Sequence, residues 1–169
     1  MGWMGKSVLA AAFSCTREAR QAFQDGIFWV TIGLNPDLVA SMSIIGTKLG
    51  DDPKNYSSKE EAKASLSNKL PDKICLIILD DVWQVAHAEP FVNALGSRCK
   101  LLITTRNNDI VTSLGAQEHK IDVLSKPEAL KLLASWYEQG VNSLPSEALK
   151  VAKECGYLPP RSIYLRCNG

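Results

Sequence analysis

The sequence predicts an α/β fold in which a doubly wound parallel sheet is followed by a smaller helical region. Between residues 1 and 124, apolar runs of strand length alternate with helical patterns, which is typical of a parallel sheet covered by helices. From residue 125 to residue 169 only helical patterns follow, apart from a divergent tail. We therefore expect two regions, residues 1–124 and residues 125–169.

The individual elements can be predicted in order along the chain. Ala and Leu residues from 6 to about 23 predict one helix, and the β-branched and aromatic residues 27–32 predict a strand. Helix-start patterns at 35–37 and 57–61 open two more helices. The remaining predicted elements are strands at 74–79, 100–106 and 119–123, and helices at 87–95, 108–114, 127–137 and 145–154.

Composition excludes several classes of partner. The 169 residues suit one domain with a small appendage, and a formal charge of +1 gives no electrostatic footprint for nucleic acid or an anionic membrane. No apolar run approaches the ~18 residues of a membrane span. The five cysteines are scattered and never spaced as CxxC, so we expect free thiols in a reducing compartment and a cytoplasmic location.

Two adjacent carboxylates follow a continuous apolar run. Residues 75–79 have no polar alternation, which predicts a strand buried on both faces, and Asp80 and Asp81 come directly after them. Open α/β sheets bind ligands at the carboxyl ends of their strands. Asp80 is placed to hold magnesium through water, and Asp81 to orient or deprotonate an attacking water. The alternative is an ordinary Asp-Asp turn, and Trp83 is expected to pack.

The tripeptide Gly5-Lys6-Ser7 forms the second half of a phosphate-loop pattern, GxxxxGK[ST]. In such a loop, backbone N–H groups surround the phosphates, the Lys neutralises them and the hydroxyl binds magnesium. The first Gly of the pattern would fall one position before Met1. Alone, the tripeptide could be a chance match, but together with Asp80 and Asp81 it predicts a nucleotide site.

Four motifs in this order resemble the NB-ARC family. They are Gly-Lys-Ser at 5–7, Leu-Ile-Ile-Leu-Asp-Asp-Val-Trp at 76–83, Leu-Ile-Thr-Thr-Arg at 102–106 and Cys-Gly-Tyr-Leu-Pro at 155–159. That family is the P-loop nucleotide-binding switch of plant resistance proteins, apoptotic protease-activating factors and other STAND ATPases. The resemblance implies a P-loop NTPase-type sheet at 1–124 and a partial helical domain, similar to the family's ARC1 segment, at 125–169.

The resemblance also implies roles for particular residues. Lys6 would contact the β- and γ-phosphates, Arg106 would sense the γ-phosphate, and Pro159 would pack by the adenine. Ser7 and Asp80 would support magnesium, and Asp81 would position the hydrolytic water. The remaining residues implied in binding ADP or ATP surround the phosphate loop: Gly2, Met4, Gly5 and Val8.

The implied function is an ADP/ATP-binding, Mg²⁺-dependent switch that controls self-association of a full-length protein in defence or cell-death signalling. At most it would be a slow ATPase. In the family's sheet the strand before the phosphate loop lies centrally, and we expect its absence here to leave the neighbouring strands with unpaired backbone. Two alternatives stay open: a scaffold that no longer holds nucleotide, favoured by Trp3 in the loop, and a motor-type ATPase with brisk turnover.

Overall fold

The computed structural model describes residues 5–119, 124–136, 140–154 and 157. In these residues, three parallel strands form one sheet in the order β1 (Gly26–Gly33), β2 (Cys75–Val82) and β3 (Lys100–Thr105). The helices are α1 (Lys6–Ser14), α2 (Arg17–Ala22), α3 (Leu38–Lys48), α4 (Lys59–Lys69), α5 (Val85–Ala94), α6 (Asn108–Ser113), α7 (Lys126–Trp136) and α8 (Ala148–Glu154). Short 3₁₀ turns lie at Pro53–Asn55 and Val141–Ser143. The predicted alternation of strands and helices is confirmed.

The strand β2 pairs directly with both of its neighbours. Thr31 of β1 lies opposite Asp80, and Leu79 lies opposite Ile103 of β3. β1 and β3 are the edges of this sheet, so the outer side of each has no strand partner among the described residues. The expectation that loss of a central strand leaves its neighbours with unpaired backbone therefore stays a prediction.

Helices cover both faces of the sheet. The face carrying Ile77 and Leu79 packs against α3, α4, α5 and α6, with Met42 and Phe91 fully buried in that core. The opposite face carries Leu76 and Ile78, which pack against Ala10 of α1. A strand buried on both faces needs apolar residues at every position, and this requirement explains the unbroken apolar run of β2.

Helix caps determine where several elements begin. Asp37 Oδ1 accepts a hydrogen bond from the N–H of Ala40, and Ser58 Oγ accepts one from the N–H of Glu61, as the two helix-start patterns predicted. The predicted single helix from 6 to 23 is wrong in one respect. It divides into α1 and α2 because Thr16 adopts an extended conformation and caps α2 through the N–H of Ala19.

The segment between α3 and α4 folds around one carboxylate. Asp51 Oδ2 accepts hydrogen bonds from the hydroxyls of Ser65 (2.5 Å) and Tyr56 (3.0 Å), and Lys69 Nζ lies 3.5 Å from Asp51 Oδ1. These hydroxyls stabilise the charged form and lower the pKa of Asp51 to about 2. This segment, for which the sequence predicted neither helix nor strand, is thus held by partly buried hydrogen bonds.

Several sequence-based expectations concern residues near or beyond the described ranges. Residues 120–123 of the predicted strand at 119–123, and the tail from 158 onward, lie outside the described residues. Within those ranges, no helix is both long enough and apolar enough to cross a membrane. Cys75 and Cys99 are free thiols, as expected, whereas Cys15 takes part in a disulfide bond.

Candidate functional site

The carboxylate of Asp80 lies on the face of the sheet that α1 covers. Alternate residues of a strand point to the same face, so Asp80 shares its face with Leu76 and Ile78. Those two side chains pack against Ala10 of α1. Asp80 itself is buried, with 9% of its surface exposed. The helix that opens with Gly-Lys-Ser and the first predicted carboxylate therefore occupy the same side of β2.

Thr104 connects the two carboxylate residues to β3. Its hydroxyl donates a 2.6 Å hydrogen bond to Asp80 Oδ1 and accepts a 2.9 Å hydrogen bond from the N–H of Asp81. Thr104 is itself 7% exposed. A short hydrogen bond to a buried carboxylate restricts its rotation, so Thr104 orients Asp80 within the site.

Asp81 interrupts the regular geometry of β2. Its φ angle is +58°, in the left-handed region that residues other than Gly rarely adopt, and the β2–β3 register shifts between Leu79 and Val82. Local strain of this kind persists only where surrounding contacts maintain it, and it concentrates at functional sites. The N–H that Asp81 donates to Thr104 is one such contact. The predicted strand therefore extends through both carboxylates to Val82 and does not end before them.

Trp83 and Arg106 meet at the surface beside Asp81. The indole N–H of Trp83 donates to Asp81 Oδ2 at 3.0 Å, and the guanidinium carbon of Arg106 lies 5.6 Å from the centre of the indole ring. Trp83 is 41% exposed, so the expected packing of its side chain takes place at the surface and not in the core.

The predicted phosphate-binding residues lie at the first turn of α1. Gly5 precedes the helix with a φ of +63°, a conformation that glycine adopts without steric cost. Lys6 and Val8 are half-buried and Ser7 is exposed. The first backbone N–H groups of a helix have no partner within it and form an anion-binding end. Among the described residues, no hydrogen bond or ion pair joins Lys6 or Ser7 to Asp80, so their convergence stays a prediction.

Three predicted site residues cannot be placed. Gly2, Met4 and Pro159 lie outside the described residues. Two residues that sequence reasoning did not select, Thr104 and Trp83, contact the carboxylates directly. The sequence shows only the residue type of Thr104, because its place beside Asp80 follows from the pairing of β2 with β3. No signal could have distinguished an exposed Trp83 from a buried one.

The residues present fit a bound magnesium ion. Asp80 and Ser7 offer a carboxylate and a hydroxyl oxygen, which are hard ligands of the kind that Mg²⁺ prefers. Protein sites for Mg²⁺ commonly supply only one or two such groups, and the phosphates of the substrate supply others. Within the described part of the chain, no group of three or more His, Cys, Asp or Glu could hold a metal ion by itself. By their donor chemistry, Asp80 and Ser7 suit a Mg²⁺ ion that also has phosphate ligands.

A parallel sheet with helices on both faces and two carboxylates at its carboxyl edge is consistent with a P-loop NTPase-type α/β protein. Comparison with protein families agrees with this class. The model of the NB-ARC domain matches residues 1–140. The chain therefore belongs to the NB-ARC family.

The chain is similar to much longer proteins. Apoptotic protease-activating factor 1 of Rattus norvegicus is 32% identical in an alignment that covers 92% of this chain and 13% of that protein. The protein of the same name from Danio rerio is 29% identical with the same coverage. A putative disease resistance protein of Arabidopsis thaliana is 27% identical over 171 residues, covering 94% of this chain and 19% of that protein. The chain thus spans less than a fifth of the length of these relatives.

Proposed function

We propose that this chain is an adenine-nucleotide switch domain of a signalling ATPase, which binds ADP or ATP with Mg²⁺ and controls self-association. Its membership of the NB-ARC family supports the binding of a nucleotide. The names of its relatives, an apoptotic protease-activating factor and a disease resistance protein, support a role in cell death or defence. It would act in the cytoplasm, as the sequence-based expectation has it.

The observation that carries this proposal is the shared face of α1 and Asp80. The Ala10 contact with Leu76 and Ile78 puts α1 on the face to which Asp80 points. A nucleotide site of this class needs a helix N-terminus for the phosphates and a strand-end carboxylate for the metal on the same side of the sheet. An arrangement on opposite faces would contradict the proposal.

The phosphates would be bound at the start of α1. Backbone N–H groups from Gly2 and Met4 through Gly5 to Val8 would donate to phosphate oxygens, where the helix dipole favours negative charge. The ammonium group of Lys6 would neutralise the β- and γ-phosphates as a compact point charge. Pro159 would contact the adenine ring from the helical region.

The carboxyl edge would supply the groups around the γ-phosphate. Asp80, oriented by Thr104, and the hydroxyl of Ser7 would hold Mg²⁺, which neutralises charge on the phosphate oxygens. Asp81 would orient the attacking water through its carboxylate. Arg106 would form a charge-assisted fork to the γ-phosphate. Because only ATP has this phosphate, Arg106 gives the two nucleotides different interaction energies, as a switch requires.

Nucleotide affinity tests the binding proposal directly. Calorimetric titration of the chain with ADP and with ATP, each with and without Mg²⁺, should show binding that Mg²⁺ strengthens. Lys6→Ala should weaken it by at least roughly tenfold, because charge-assisted contacts to phosphate are lost. Lys100→Ala, at the amino end of β3, is the matched control and should change nothing. Equal losses in both variants would contradict the assignment of Lys6.

Assembly and turnover test the switch. Light scattering of the full-length protein should give different molar masses with ADP, with a non-hydrolysable ATP analogue and without nucleotide. One molar mass under all three conditions would contradict the proposal. Steady-state hydrolysis should be slow. Many turnovers per second would favour a motor-type ATPase, and a chain that binds neither nucleotide would favour a scaffold.

A further inference from the structure

Trp83 occupies a position that packing does not explain. It lies directly after β2, whose other apolar side chains are buried, yet 41% of its surface is exposed. It also belongs to neither of the two apolar cores among the described residues. A large aromatic side chain held at the surface by polar contacts, next to a candidate site, calls for a different explanation.

Two polar contacts fix the indole. Its N–H donates to Asp81 Oδ2 at 3.0 Å, and its ring lies 5.6 Å from the guanidinium carbon of Arg106. The first contact uses the carboxylate whose backbone is held at a φ of +58°. The second is a cation–π contact between an aromatic face and a cation. Trp83 therefore contacts both Asp81 and Arg106.

We infer that Trp83 is a positioning residue that holds Arg106 beside the site until a γ-phosphate arrives. This inference rests on the proposed function. At an exposed site a cation–π contact is worth roughly two- to fivefold in an equilibrium constant. Hydrogen bonds between a guanidinium and a phosphate are worth more, roughly ten- to a hundredfold. ATP therefore draws Arg106 off the indole, whereas ADP, which has no γ-phosphate, leaves it there.

The same comparison gives Trp83 a role in nucleotide preference. The contact with the indole stabilises the state in which Arg106 is not bound to phosphate. Trp83 thus lowers the affinity for ATP and leaves the affinity for ADP unaltered. The hydrogen bond from the indole to Asp81 also fixes the carboxylate beside the arriving phosphate, so one ring connects both groups.

The emission of Trp83 tests this inference, because removing a cation from an indole face changes its fluorescence. The difference in emission between the chain and Trp83→Phe isolates the signal of this indole. We expect it to change on titration with the Mg²⁺ complex of a non-hydrolysable ATP analogue, but not with that of ADP. Trp29→Phe is the matched control, since Trp29 also donates its indole N–H to a residue two positions away and lies on β1. The Trp29→Phe substitution should leave the nucleotide-dependent change in emission intact.

Affinity gives a second readout that a purely structural role would not produce. Trp83→Ala should bind the ATP analogue about two- to fivefold more tightly, because Arg106 no longer leaves the ring, with ADP affinity unchanged. Equal weakening of both nucleotides would overturn the inference, as would an emission of Trp83 that responds to neither nucleotide although both bind. If calorimetry detects no binding of either nucleotide, the proposed function fails and this inference fails with it.

Discussion

Among single residues, Thr104 contacts both carboxylate residues of the candidate site. Its hydroxyl acts as a donor to Asp80 and as an acceptor for Asp81, so one oxygen orients a side chain and holds a strained backbone. Both hydrogen bonds are largely shielded from water, where polar groups without partners are costly. Thr104 therefore influences metal binding without being a ligand itself.

Replacing Thr104 by the isosteric Val should weaken Mg²⁺ binding and the fold together. Loss of an outer partner of a metal ligand typically costs about 10- to 100-fold in metal affinity. Two buried groups lose their hydrogen-bond partner, so the free energy of unfolding should fall by about 1–3 kcal/mol. The measurements are the Mg²⁺ dependence of ADP affinity and chemical denaturation.

Two further variants separate the hydroxyl from the methyl group of Thr104. Thr104→Ser keeps the hydroxyl and should restore most of the Mg²⁺ dependence. Thr31→Val makes the same substitution on β1, opposite Asp80 in the ladder, and should leave Mg²⁺ affinity unchanged. A Thr104→Val chain with normal Mg²⁺ dependence would show that the orientation of Asp80 does not depend on this hydroxyl.

At the scale of elements, the sequence correctly predicted the features that depend only on residues close together in the chain. The helix caps at Asp37 and Ser58 and the apolar run of β2 are such features, and the structure contains the two helices and the strand that they predict. The break at Thr16 was missed because the helix-favouring residues on both sides obscure one capping hydroxyl. Strand order was not predicted, since partner choice between parallel strands depends on residues more than 20 positions apart.

The same limits apply to the candidate site. The carboxylates and Gly-Lys-Ser could be selected from sequence because their residue types carry the chemistry. The left-handed backbone of Asp81 and the exposure of Trp83 could not, since both follow from how β2 ends against its neighbours. Thr104 lies between these cases: its residue type was visible, but its partner depends on strand register.

The contact between α3 and the following segment gives an element-scale prediction. A Cβ at Gly46 would overlap the hydroxyl and ring of Tyr56. Gly46→Ala gains about 1 kcal/mol of helix propensity, but displacing a buried ring in a packed core costs about 1–3 kcal/mol. Loss of the Tyr56 hydrogen bond to Asp51 adds to that cost. We expect net destabilisation in urea denaturation.

A double-mutant cycle isolates this contact. In a Tyr56→Ala background the ring is gone, so Gly46→Ala should become neutral or stabilising. Thr47→Ala, one residue later on the exposed side of α3, controls for propensity alone and should not destabilise the chain. The steric explanation is wrong if Gly46→Ala has the same effect in both backgrounds.

For the whole molecule, groups with shifted pKa values determine how stability depends on pH. Hydrogen bonds, first from Ser65 and then from Tyr56, lower the pKa of Asp51 from 3.8 to about 2. Burial raises the pKa of Tyr56 from 10.0 to about 12, and its hydrogen bond to Asp51 adds to this shift. Burial, followed by contact with Cys99, raises the pKa of Cys75 from 9.0 to about 12. The folded chain therefore binds fewer protons than the unfolded chain in acid, and more in alkali.

The free energy of unfolding should therefore be nearly constant between about pH 5 and pH 8 and fall on both sides. The contribution of Asp51 is complete above its unfolded pKa of 3.8 and is lost as pH falls toward about 2. The contributions of Cys75 and Tyr56 are complete below their unfolded pKa values of 9.0 and 10.0 and are lost as pH rises toward about 12. Urea denaturation from about pH 2 to about pH 12 measures the loss of stability in acid and in alkali.

Two carboxylate variants identify the group responsible for the loss of stability in acid, because each removes one negative charge and only Asp51 has a pKa lowered to about 2. Asp51→Asn should flatten the loss of stability below pH 4, since the side chain no longer takes up a proton on unfolding. Asp72→Asn, at an exposed position between α4 and β2, should leave the slope unchanged. If both variants keep the full acid slope, Asp51 does not control it, and the hydrogen bonds from Ser65 and Tyr56 contribute equally to stability whether or not that carboxylate is charged.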